Sequence, residues 1–543
     1  MNLIASGAYL QGGFSTEIGL TPPSFLPIGN KRLYEYQVEL LRNKGGYDDD
    51  IYLSIPESYR LSTFDLMNLN KLKVNIIAVP DGLSLGSSIL YCWNAAAKIR
   101  NKLTLLHGDT LFLNFDFESK NALSVHPNRG YYKRAKLEYE SDNFKSAHDE
   151  WSNDSDLVLS GLFNFEYPLY FMKSLVEEDN DFTEAIVRYH QNYPVELVDC
   201  GEWLDFGHIN SFYHSRSKMT TQRAFNDLKI NQQVVTKASI SNPKKIFSEG
   251  RWFAEIPLAL RIYTPALLSL FEGDANYNGS SYKLEYLYFL PLSDLMIFGN
   301  LSEGSWVSIF ESINKALIEF NKYKPSSEEA CKVNNDDLYL SKTLKRLNDF
   351  EIQSGVDLSI SKYGFLDHAK LYNLKEIAIN SALYIKDLED TDISVMHGDF
   401  CFSNILFDSR AEVIKCIDPR GITLNDELSI YGDRRYDISK IYHSLVGMYD
   451  FIIAGHYELN IIDEGSIRYF DFKIFNEDNL YDIEALFRDI LLSQSDYSEK
   501  EILSITIQLF LSMLPLHSEK PMLQQAFIAN SIRLYYILEE MEL

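Results

Sequence analysis

The sequence predicts an α/β domain followed by a two-lobed α+β half, and three observations lead to this fold class. Over residues 1–216, short apolar runs alternate with amphipathic helical patterns, which is typical of a mainly parallel sheet with helices packed on it. Over residues 217–300, several apolar runs of strand length predict a small second sheet. Over residues 301–543 the pattern is mostly helical, which predicts a larger helical lobe.

The strands of the first domain are predicted by apolar runs with few charges, namely MNLIAS, IYLSI, VNIIAV, LTLLHGD and LVLSGLFNF. The runs LYEYQVELLRN and SILYCWNAAAKIRN have helical periodicity and predict helices between those strands. The polar segment 126–156 interrupts the pattern, and we expect it to form a mobile or hairpin insertion.

The second half begins with three runs that predict the small sheet, QVVTKASIS, YKLEYLYFLPL and IFGNL. The segment KYKPSSEEACKVNNDD is polar and predicts a loop within the helical lobe. Further on, SVMHGDFCFSNILFD predicts a strand, a tight polar loop and a second strand, and EVIKCIDPRG predicts the return strand of a hairpin. A polar loop enclosed by apolar strands is unusual, because loop backbone needs hydrogen-bond partners.

The composition sets limits on the class of protein. Hydrophobic residues make up 46% of the chain and aromatic residues 13%, so a large core is expected and global disorder is not. The net charge of -26 argues against a nucleic-acid partner, which would need a basic face. Phosphorylated small molecules remain compatible with this charge, because Mg²⁺ and a few basic side chains supply local positive charge.

Cysteine usage and hydropathy bear on the compartment. The five cysteines are scattered without CxxC spacing, which argues against zinc or a disulfide framework and fits a reducing cytoplasm. The segment MNLIASGAYL lacks the features of a signal peptide. The run YFLPLSDLMIFG comes closest to a membrane span, but Pro291 and Asp294 interrupt it. We therefore expect a cytoplasmic protein without a membrane span.

The polar loop of the second half carries the residue types that phosphoryl transfer needs. Asp399 and Asn404 stand five residues apart, and Asp418 follows after one hairpin. One carboxylate can accept the proton of an attacking hydroxyl, while an amide oxygen and a second carboxylate can hold Mg²⁺ on a triphosphate. This spacing is that of the protein-kinase catalytic loop. The alternative interpretation is a solvated turn with a chance Asp and Asn.

The motif HGDFCFSN resembles the catalytic loop of the aminoglycoside phosphotransferase and choline kinase family, and the resemblance covers the chain from about residue 228 onward. It implies that Asp399 is the catalytic base, that Asn404 and Asp418 are magnesium ligands and that ATP is the phosphoryl donor. It also implies that His397 braces the loop and that Asp437, in GDRRYDISKIYHS, is structural. The acceptor implied at this level is a small alcohol or sugar.

A kinase-like small lobe should carry a lysine that contacts phosphate and pairs with a helix glutamate. Lys237 in VVTKAS and Glu249 in KIFSEGRWF fit that pair, with Lys244 and Lys245 as competing candidates. The alternative is an ordinary strand lysine and a surface glutamate. The segment YKLEYLYFLPLSD would join the two lobes where backbone groups meet the adenine.

The first domain also has ligand-site features at its strand ends. A glycine-containing loop, SGAYLQGGFSTEIG, follows the first strand, and LPIGNK opens the first helix. Asp109 lies at the end of the strand in LLHGDTLF, and Asp205 lies in GEWLDFGHINSFY. Ligands meet parallel sheets at the carboxyl ends of their strands, and two carboxylates from separate ends can hold one Mg²⁺.

These segments resemble the sugar-phosphate nucleotidyltransferases, Rossmann-like enzymes that join a nucleoside triphosphate to a phosphomonoester. The resemblance covers residues 1–216 and implies that Asp109 and Asp205 are catalytic and bind the metal. It also implies nucleotide contacts, in the glycine-containing loop, in the VPDGLSLGSSI loop and at the start of the first helix, by Gly7, Gly82, Ser84 and Lys31.

The chain departs from that family in its signature loop. The usual loop carries an arginine after its glycines and a lysine after the first proline, but this chain has Glu17 in its loop and Ser24 after Pro23. Without those cations, charge that develops on the phosphates loses stabilisation. His107 and His208 flank the two aspartates, where either ligation or a packing role is open.

Together the two resemblances predict a bifunctional small-molecule kinase and nucleotidyltransferase. The C-terminal half would phosphorylate an alcohol, and the N-terminal half would couple that phosphate to a second nucleotide, with CTP suggested by analogy to fused choline kinases and cytidylyltransferases. The product would be a CDP-linked building block for a capsular or other surface polysaccharide. Two alternatives stay open: a kinase with an inactive nucleotide-binding first domain, and a non-catalytic binding scaffold. The oligomeric state is not indicated.

Overall fold

The computed structural model describes residues 1–45, 50–96, 101–113, 120–128, 136–140, 143–147, 157–221, 228–231, 233–334, 338–476 and 480–541. The chain divides into two compact units. The first unit comprises Met1–Thr220 together with Phe298–Asn300, and the second comprises Thr221–Ile297 and Leu301–Leu543. The predicted division of the second half at residue 300 stays a prediction.

The first unit alternates strands and helices, as the sequence predicted. Its strands are β1 (Asn2–Ala5), β2 (Pro27–Ile28), β3 (Lys31–Arg32), β4 (Ile51–Pro56), β5 (Val74–Val79), β6 (Leu103–His107), β7 (Thr110–Leu113), β8 (Ala122–Pro127), β9 (Lys136–Glu140), β10 (Asn143–Ala147), β11 (Leu157–Phe165), β12 (Glu196–Asp199) and β13 (Glu202–Asp205). Its helices are α1 (Phe14–Glu17), α2 (Leu33–Gly45), α3 (Thr63–Lys71), α4 (Leu85–Ala95), α5 (Pro168–Glu177), α6 (Phe182–Asn192) and α7 (Ile209–Thr221).

A mixed sheet forms the centre of the first unit. Its strands follow the order β10-β9-β11-β6-β1-β4-β5, with β8 and β12 joined beside β11. Strand β1 pairs in parallel with both β4 and β6, and β4 pairs in parallel with β5, whereas β11 runs antiparallel to β6. Buried apolar clusters lie on both faces of this sheet, which explains why its central strands are rich in apolar residues and do not alternate strictly between apolar and polar ones. The α/β prediction is confirmed.

The second unit begins with short strands and continues with long helices. Its strands are β14 (Lys229–Asn231), β15 (Val234–Ala238), β16 (Leu267–Phe271), β17 (Ser281–Glu285), β18 (Leu290–Pro291), β19 (Lys362–Phe365), β20 (Ile393–Val395), β21 (Ile405–Asp408), β22 (Val413–Cys416), β23 (Tyr431–Asp433), β24 (Tyr457–Glu464) and β25 (Ile467–Ile474). Its helices are α8 (Pro243–Glu255), α9 (Leu292–Phe298), α10 (Glu303–Asn321), α11 (Ser327–Asn334), α12 (Leu340–Ser354), α13 (Leu374–Ala382), α14 (Arg434–Leu445), α15 (Tyr449–Ile453), α16 (Leu480–Phe487), α17 (Glu499–Met513) and α18 (Pro521–Glu540).

The second unit combines a small sheet with a helical lobe. Four strands in the order β14-β15-β17-β16 form the small antiparallel sheet, against which α8 packs. In the helical lobe, α17 is buried along most of its length and contacts α12, α13, α14 and α18. The strands β21 and β22 form the predicted hairpin next to the polar loop. The α+β prediction for this half is confirmed.

Two local predictions were wrong. The run IFGNL was expected to be a strand, but its first two residues end helix α9, which starts directly after Pro291. The segment KYKPSSEEACKVNNDD was expected to be a loop, but it contains α11. Ser326 and Glu329 cap this helix reciprocally: the Ser326 backbone N–H and hydroxyl both donate to the Glu329 carboxylate at 3.0 Å, and the Glu329 N–H donates back to the Ser326 hydroxyl at 3.4 Å.

The insertion at 126–156 is described in part. Strands β9 and β10 form an antiparallel hairpin there, as one of the two sequence-based expectations had it. Residues 129–135, 141–142 and 148–156 lie outside the described part of the chain. Within the described residues, no helix is both long and apolar enough to cross a membrane.

The central position of α17 leads to a prediction about stability. Ile507 on this helix is 0% exposed, whereas Ile352 on α12 is 81% exposed. Ile507→Ala leaves a cavity and should lower the unfolding free energy by about 2–5 kcal/mol, whereas Ile352→Ala should change it by less than about 0.5 kcal/mol. Urea denaturation followed by circular dichroism measures both variants. Equal midpoints for the two variants would contradict the central role of α17.

Candidate active sites

Helix α14 holds the polar loop of the second unit in place through hydrogen bonds. The Asp437 carboxylate accepts the backbone N–H of His397 at 2.7 Å and that of Gly398 at 2.8 Å. Two turns further along α14, the Ser444 hydroxyl accepts the N–H of Phe402 at 3.0 Å. Gly398 has a φ of +79°, a conformation that favours glycine. The loop backbone therefore has its hydrogen-bond partners, which explains how it can be buried.

His397 supports the same loop from within the core. Its side chain is buried, and its Nδ1 accepts the N–H of Asp399 at 3.3 Å. Its ring packs edge-on to Trp252 and against Phe400. Burial lowers the pKa of His397 to about 4, so the ring is neutral near pH 7. This environment fits the bracing role that the sequence suggested for His397.

Asp399 has a different partner on each carboxylate oxygen. The Asn404 side-chain amide donates to Oδ2 at 2.9 Å, and the Lys440 ammonium lies 2.9 Å from Oδ1. Burial raises the pKa of Asp399, but Lys440 more than offsets it and the pKa falls to about 2. The carboxylate is therefore ionised at neutral pH, which is the state that can accept a proton.

Lys237 connects the small sheet to the end of the hairpin. Its ammonium on β15 lies 2.7 Å from Glu249 on α8 and 3.0 Å from Asp418, which follows β22. The Tyr282 hydroxyl also donates to Glu249, at 2.8 Å, and Glu249 is 1% exposed. Burial lowers the pKa of Lys237, but Asp418 and Glu249 outweigh burial and raise it above its ordinary value.

The donors around Asp399 and Asp418 suit a magnesium ion. The Asn404 amide nitrogen donates to Asp399, so its amide oxygen is the atom that remains for a metal. Asp418 supplies a carboxylate, and its side chain is 43% exposed, which leaves room for water or phosphate ligands. Amide and carboxylate oxygens completed by water and substrate phosphates are what Mg²⁺ prefers. The residues present therefore fit the implied ion.

Other basic residues considered from the sequence lie elsewhere or have other partners. Lys245 is 3.7 Å from Glu249 but does not bridge to Asp418, and no close ion pair links Lys244 to this cluster within the described residues. Arg435 is buried and pairs with Asp433 and Glu501.

Lys440 was not singled out from the sequence. A signal for it existed, because it follows Asp437 by three residues on one helix and so lies on the face that Asp437 presents to the loop.

In the first unit, Asp109 lies in the tight turn between β6 and β7. The Gln37 side-chain amide on α2 donates to three backbone carbonyls of this turn, those of His107 at 3.2 Å, Gly108 at 2.9 Å and Thr110 at 2.9 Å. Gln37 is therefore a positioning residue for Asp109, and the sequence analysis did not identify it.

Asp205 is brought next to Asp109 by the pairing of β13 with β7. Asp205 lies opposite Thr110 in this ladder, and the N–H of Phe206 donates to the Asp109 carbonyl at 2.8 Å. A Cβ placed on Gly207 would lie 2.4 Å from Asp109 Oδ2 and 3.3 Å from Asp205 Oδ1. The two carboxylates therefore face one small space, which fits a magnesium ion that keeps several water ligands.

The two histidines near these aspartates differ in environment. His107 packs against Phe163 and Phe182, and burial lowers its pKa to about 4. His208 Nδ1 lies 3.7 Å from Asp205 Oδ2, and its side chain is partly exposed. The surroundings of His107 fit a packing role, and those of His208 fit a supporting role beside Asp205.

A cavity of about 440 Å³ lies beside the glycine-containing loop of the first unit. Gly7 and Gly82 line it, but Ser84 and Lys31 do not. Ser84 caps α4 by accepting the N–H of Ser87. Lys31 is exposed and lies over the Tyr36 ring. Within the described part of the chain, the residues that line this cavity include no lysine and no arginine.

The positions that depart from the nucleotidyltransferase pattern have structural partners. Ser24 is buried, and its hydroxyl donates to the carbonyl of Gly108 at 3.3 Å, next to Asp109. Glu17, at the end of α1, accepts a hydrogen bond from the Tyr213 hydroxyl. Ser24 therefore places a neutral side chain where the pattern has lysine, and Glu17 adds an acidic side chain to the loop.

No protein-family model matches the chain, and no curated protein matches it. Among solved structures, the chain is similar to a nucleoside-diphosphate-sugar pyrophosphorylase from Vibrio cholerae RC9, with 14% identity, a TM-score of 0.34, and coverage of 40% of this chain and 99% of the other. It is also similar to a UTP-bound UGPase from Acinetobacter baumannii, with 14% identity, a TM-score of 0.30, and coverage of 41% and 94%.

A third similar structure is an aminoglycoside-3'-phosphotransferase of type VIII, with 12% identity, a TM-score of 0.29, and coverage of 56% of this chain and 95% of the other. Both kinds of protein that the sequence resembles are therefore among its structural neighbours. At these identities and TM-scores, function has to be inferred from the site residues themselves.

The space between Asp109 and Asp205 leads to a prediction about metal binding. Gly207→Ala would push a methyl group against Asp109, so it should weaken Mn²⁺ binding at this pair by at least about tenfold. Titration with Mn²⁺, followed by electron paramagnetic resonance in the Asp418→Asn background, isolates this pair from the second unit. Gly13→Ala is the control, because a Cβ there would make only ordinary contacts at 3.6 Å. Unchanged Mn²⁺ affinity in Gly207→Ala would contradict a metal site at this position.

Proposed function

We propose that the chain is a bifunctional enzyme that phosphorylates a small alcohol or sugar with ATP and couples the product to a second nucleotide. The observation that supports the kinase activity is the convergence of Asp399, Asn404 and Asp418 with the Lys237–Glu249 pair in one unit. Each of these groups has a role in phosphoryl transfer, and such a set is far less expected in a solvated turn.

In the proposed kinase reaction, the acceptor hydroxyl attacks the γ-phosphorus of ATP. The bond to the bridging oxygen of ADP breaks as the new P–O bond forms, and the hydroxyl proton passes to Asp399. Lys237, positioned by Glu249, would contact the phosphates. Asn404 and Asp418 would hold Mg²⁺, which neutralises the charge that develops on the phosphate oxygens.

In the proposed nucleotidyl transfer, the phosphomonoester attacks the α-phosphorus of a nucleoside triphosphate and pyrophosphate leaves. Asp109 and Asp205 would hold Mg²⁺, which would supply positive charge for the phosphates, and Gln37 would fix the turn that carries Asp109. The cavity lined by Gly7 and Gly82 is a suitable place for the nucleotide. CTP as this nucleotide, and a CDP-linked precursor of a capsular polysaccharide as the product, complete the proposal.

A second candidate is a kinase whose first unit binds a nucleotide without transferring it. The absence of lysine and arginine from the lining of the cavity, within the described residues, favours it, as do Glu17 in the signature loop and Ser24 in place of the family's lysine. Pyrophosphate leaves poorly where no cation stabilises its charge.

A reaction with purified protein, Mg²⁺, ATP, CTP and a panel of small alcohols and sugars, analysed by mass spectrometry, tests these candidates. Asp399→Asn should lower formation of the phosphomonoester by about 10²–10⁴-fold, because the base is lost. In Asp109→Asn, the phosphomonoester should form and accumulate without a nucleotide-linked product.

Other results of the same experiment distinguish between the candidate functions. A phosphomonoester without any nucleotide-linked product in the wild-type protein, with each nucleoside triphosphate supplied in turn, favours the second candidate. Failure to bind Mg-ATP would leave only a non-catalytic scaffold. Lys315→Met, on an exposed face of α10, serves as the control with unchanged products.

The ion pair between Lys440 and Asp399 leads to a prediction about pH. Because Lys440 holds the pKa of Asp399 at about 2, wild-type kcat/KM should not decline through protonation of Asp399 above about pH 4. In Lys440→Met, the largest opposition to the effect of burial is removed, so the pKa of Asp399 rises and the acid limb of kcat/KM should move to higher pH. The pH profile of ADP release measures this shift. Superimposable acid limbs in the two proteins would contradict it.

A further inference from the structure

Basic side chains from α12 and α14 lie around Tyr436, and one of them contacts Asp399. Lys440 contacts the Asp399 carboxylate at 2.9 Å, whereas Lys342 on α12 approaches the Tyr436 hydroxyl. Lys342 lies 3.5 Å from the Tyr436 hydroxyl and 5.5 Å from the centre of its ring, and Lys440 lies 5.9 Å from that centre. Tyr436 is therefore enclosed by two ammonium groups. We call Lys342, Arg420 and Lys440 the basic cluster.

Arg420 is the third member of the basic cluster and lies two residues after Asp418 in the chain. Its backbone N–H donates to the carbonyl of His397 at 2.8 Å. Its Cβ lies 2.6 Å from where a Cβ on Gly398 would be, so its stem rests on the catalytic loop. Although burial raises the pKa of Tyr436, the charges of Lys342, Lys440 and Arg420 outweigh burial and lower it. The charge of Arg420 therefore acts on the same tyrosine as the charges of the two lysines.

The basic cluster has more positive than negative charge among the described residues. Asp399 is the carboxylate that contacts it, through Lys440. The neighbouring Asp437 is turned towards the loop backbone, and Asp418 pairs with Lys237. Burial lowers the pKa of Lys342, which is the sign of an ammonium withdrawn from water. Cations held in such a place are costly unless an anion joins them.

The position of the basic cluster relative to the metal ligands indicates which of the two substrates carries that anion. Asp399 Oδ2 faces Asn404, on the side of the magnesium ligands, and Oδ1 faces Lys440. Because phosphoryl transfer is in line, donor and acceptor approach the transferred group from opposite sides. The cluster therefore lies on the acceptor side of the base.

We propose that the acceptor alcohol carries an anionic group, a phosphate or a carboxylate, which the basic cluster binds while Asp399 receives the hydroxyl proton. This inference rests on the proposed kinase function and narrows its substrate. A quaternary ammonium or polyamine acceptor would meet three like charges here, which disfavours both.

Kinase assays with Mg-ATP and four alcohols of different charge test the inference: choline, glycerol, glycerol 3-phosphate and glycerate. An anionic alcohol should be phosphorylated with a kcat/KM at least about tenfold above those of glycerol and choline. Comparing glycerol 3-phosphate with glycerate distinguishes a phosphate group from a carboxylate.

Variants of Lys342 test whether the basic cluster causes the preference for an anionic alcohol. Lys342→Met should raise the KM of the anionic alcohol at least about tenfold more than it raises the KM of glycerol or of ATP. Lys342→Arg should restore most of the preference, because it restores the charge. Lys345→Met is the matched control, since Lys345 is an exposed lysine on the same helix, and thermal melting shows whether each variant is folded.

The outcomes separate this inference from the function on which it rests. Preferred phosphorylation of choline, or an equal loss for charged and neutral alcohols in Lys342→Met, would overturn the anionic acceptor and leave the kinase intact. A larger rise in the KM of ATP than in that of the alcohol would mean that the cluster binds the γ-phosphate instead. Failure of the wild-type protein to bind Mg-ATP would overturn both.

Discussion

The second unit depends on the two hydrogen bonds that Asp437 accepts from the backbone of the catalytic loop, at 2.7 and 2.8 Å. They fix His397 and Gly398, and thereby the direction in which Asp399 leaves the loop. Since Asp437 belongs to α14, the same contacts also place Lys440, one turn further along, against the Asp399 carboxylate. One helix therefore fixes both the position and the ionisation of the proposed base.

The sequence was sufficient for features that depend on local pattern. All five apolar runs predicted as strands in the first unit are strands of its mixed sheet, in which β1, β4, β5 and β6 pair in parallel. The polar loop was recognised because Asp399 and Asn404 are close in sequence and one short hairpin links them to Asp418. The pairing of Lys237 with Glu249 was anticipated from a strand followed by a helix, and the two side chains lie 2.7 Å apart. Their roles in catalysis remain proposals.

The sequence was insufficient where the element type depends on a short apolar run, or where a role depends on a contact between residues distant in the chain. IFGNL reads equally well as a strand or as the end of a buried helix, and the cap formed by Ser326 and Glu329 was present but overlooked. Gln37 and Lys342 act on residues far away in the chain, and no local pattern marks them. The charge of the acceptor side is likewise a property of packing, since its three cations come from different segments.

The bridge that Lys237 makes between Glu249 and Asp418 affects how ligands enter the site. The Lys237 ammonium lies beside the Asp418 carboxylate and balances its negative charge. A divalent cation alone would be repelled by the lysine, and a triphosphate alone would be repelled by the carboxylate. In the proposed kinase reaction the two ligands would exchange partners, with the phosphates taking Lys237 and the metal taking Asp418. The electrostatics would thus make the two ligands mutually dependent, with each raising the affinity of the other.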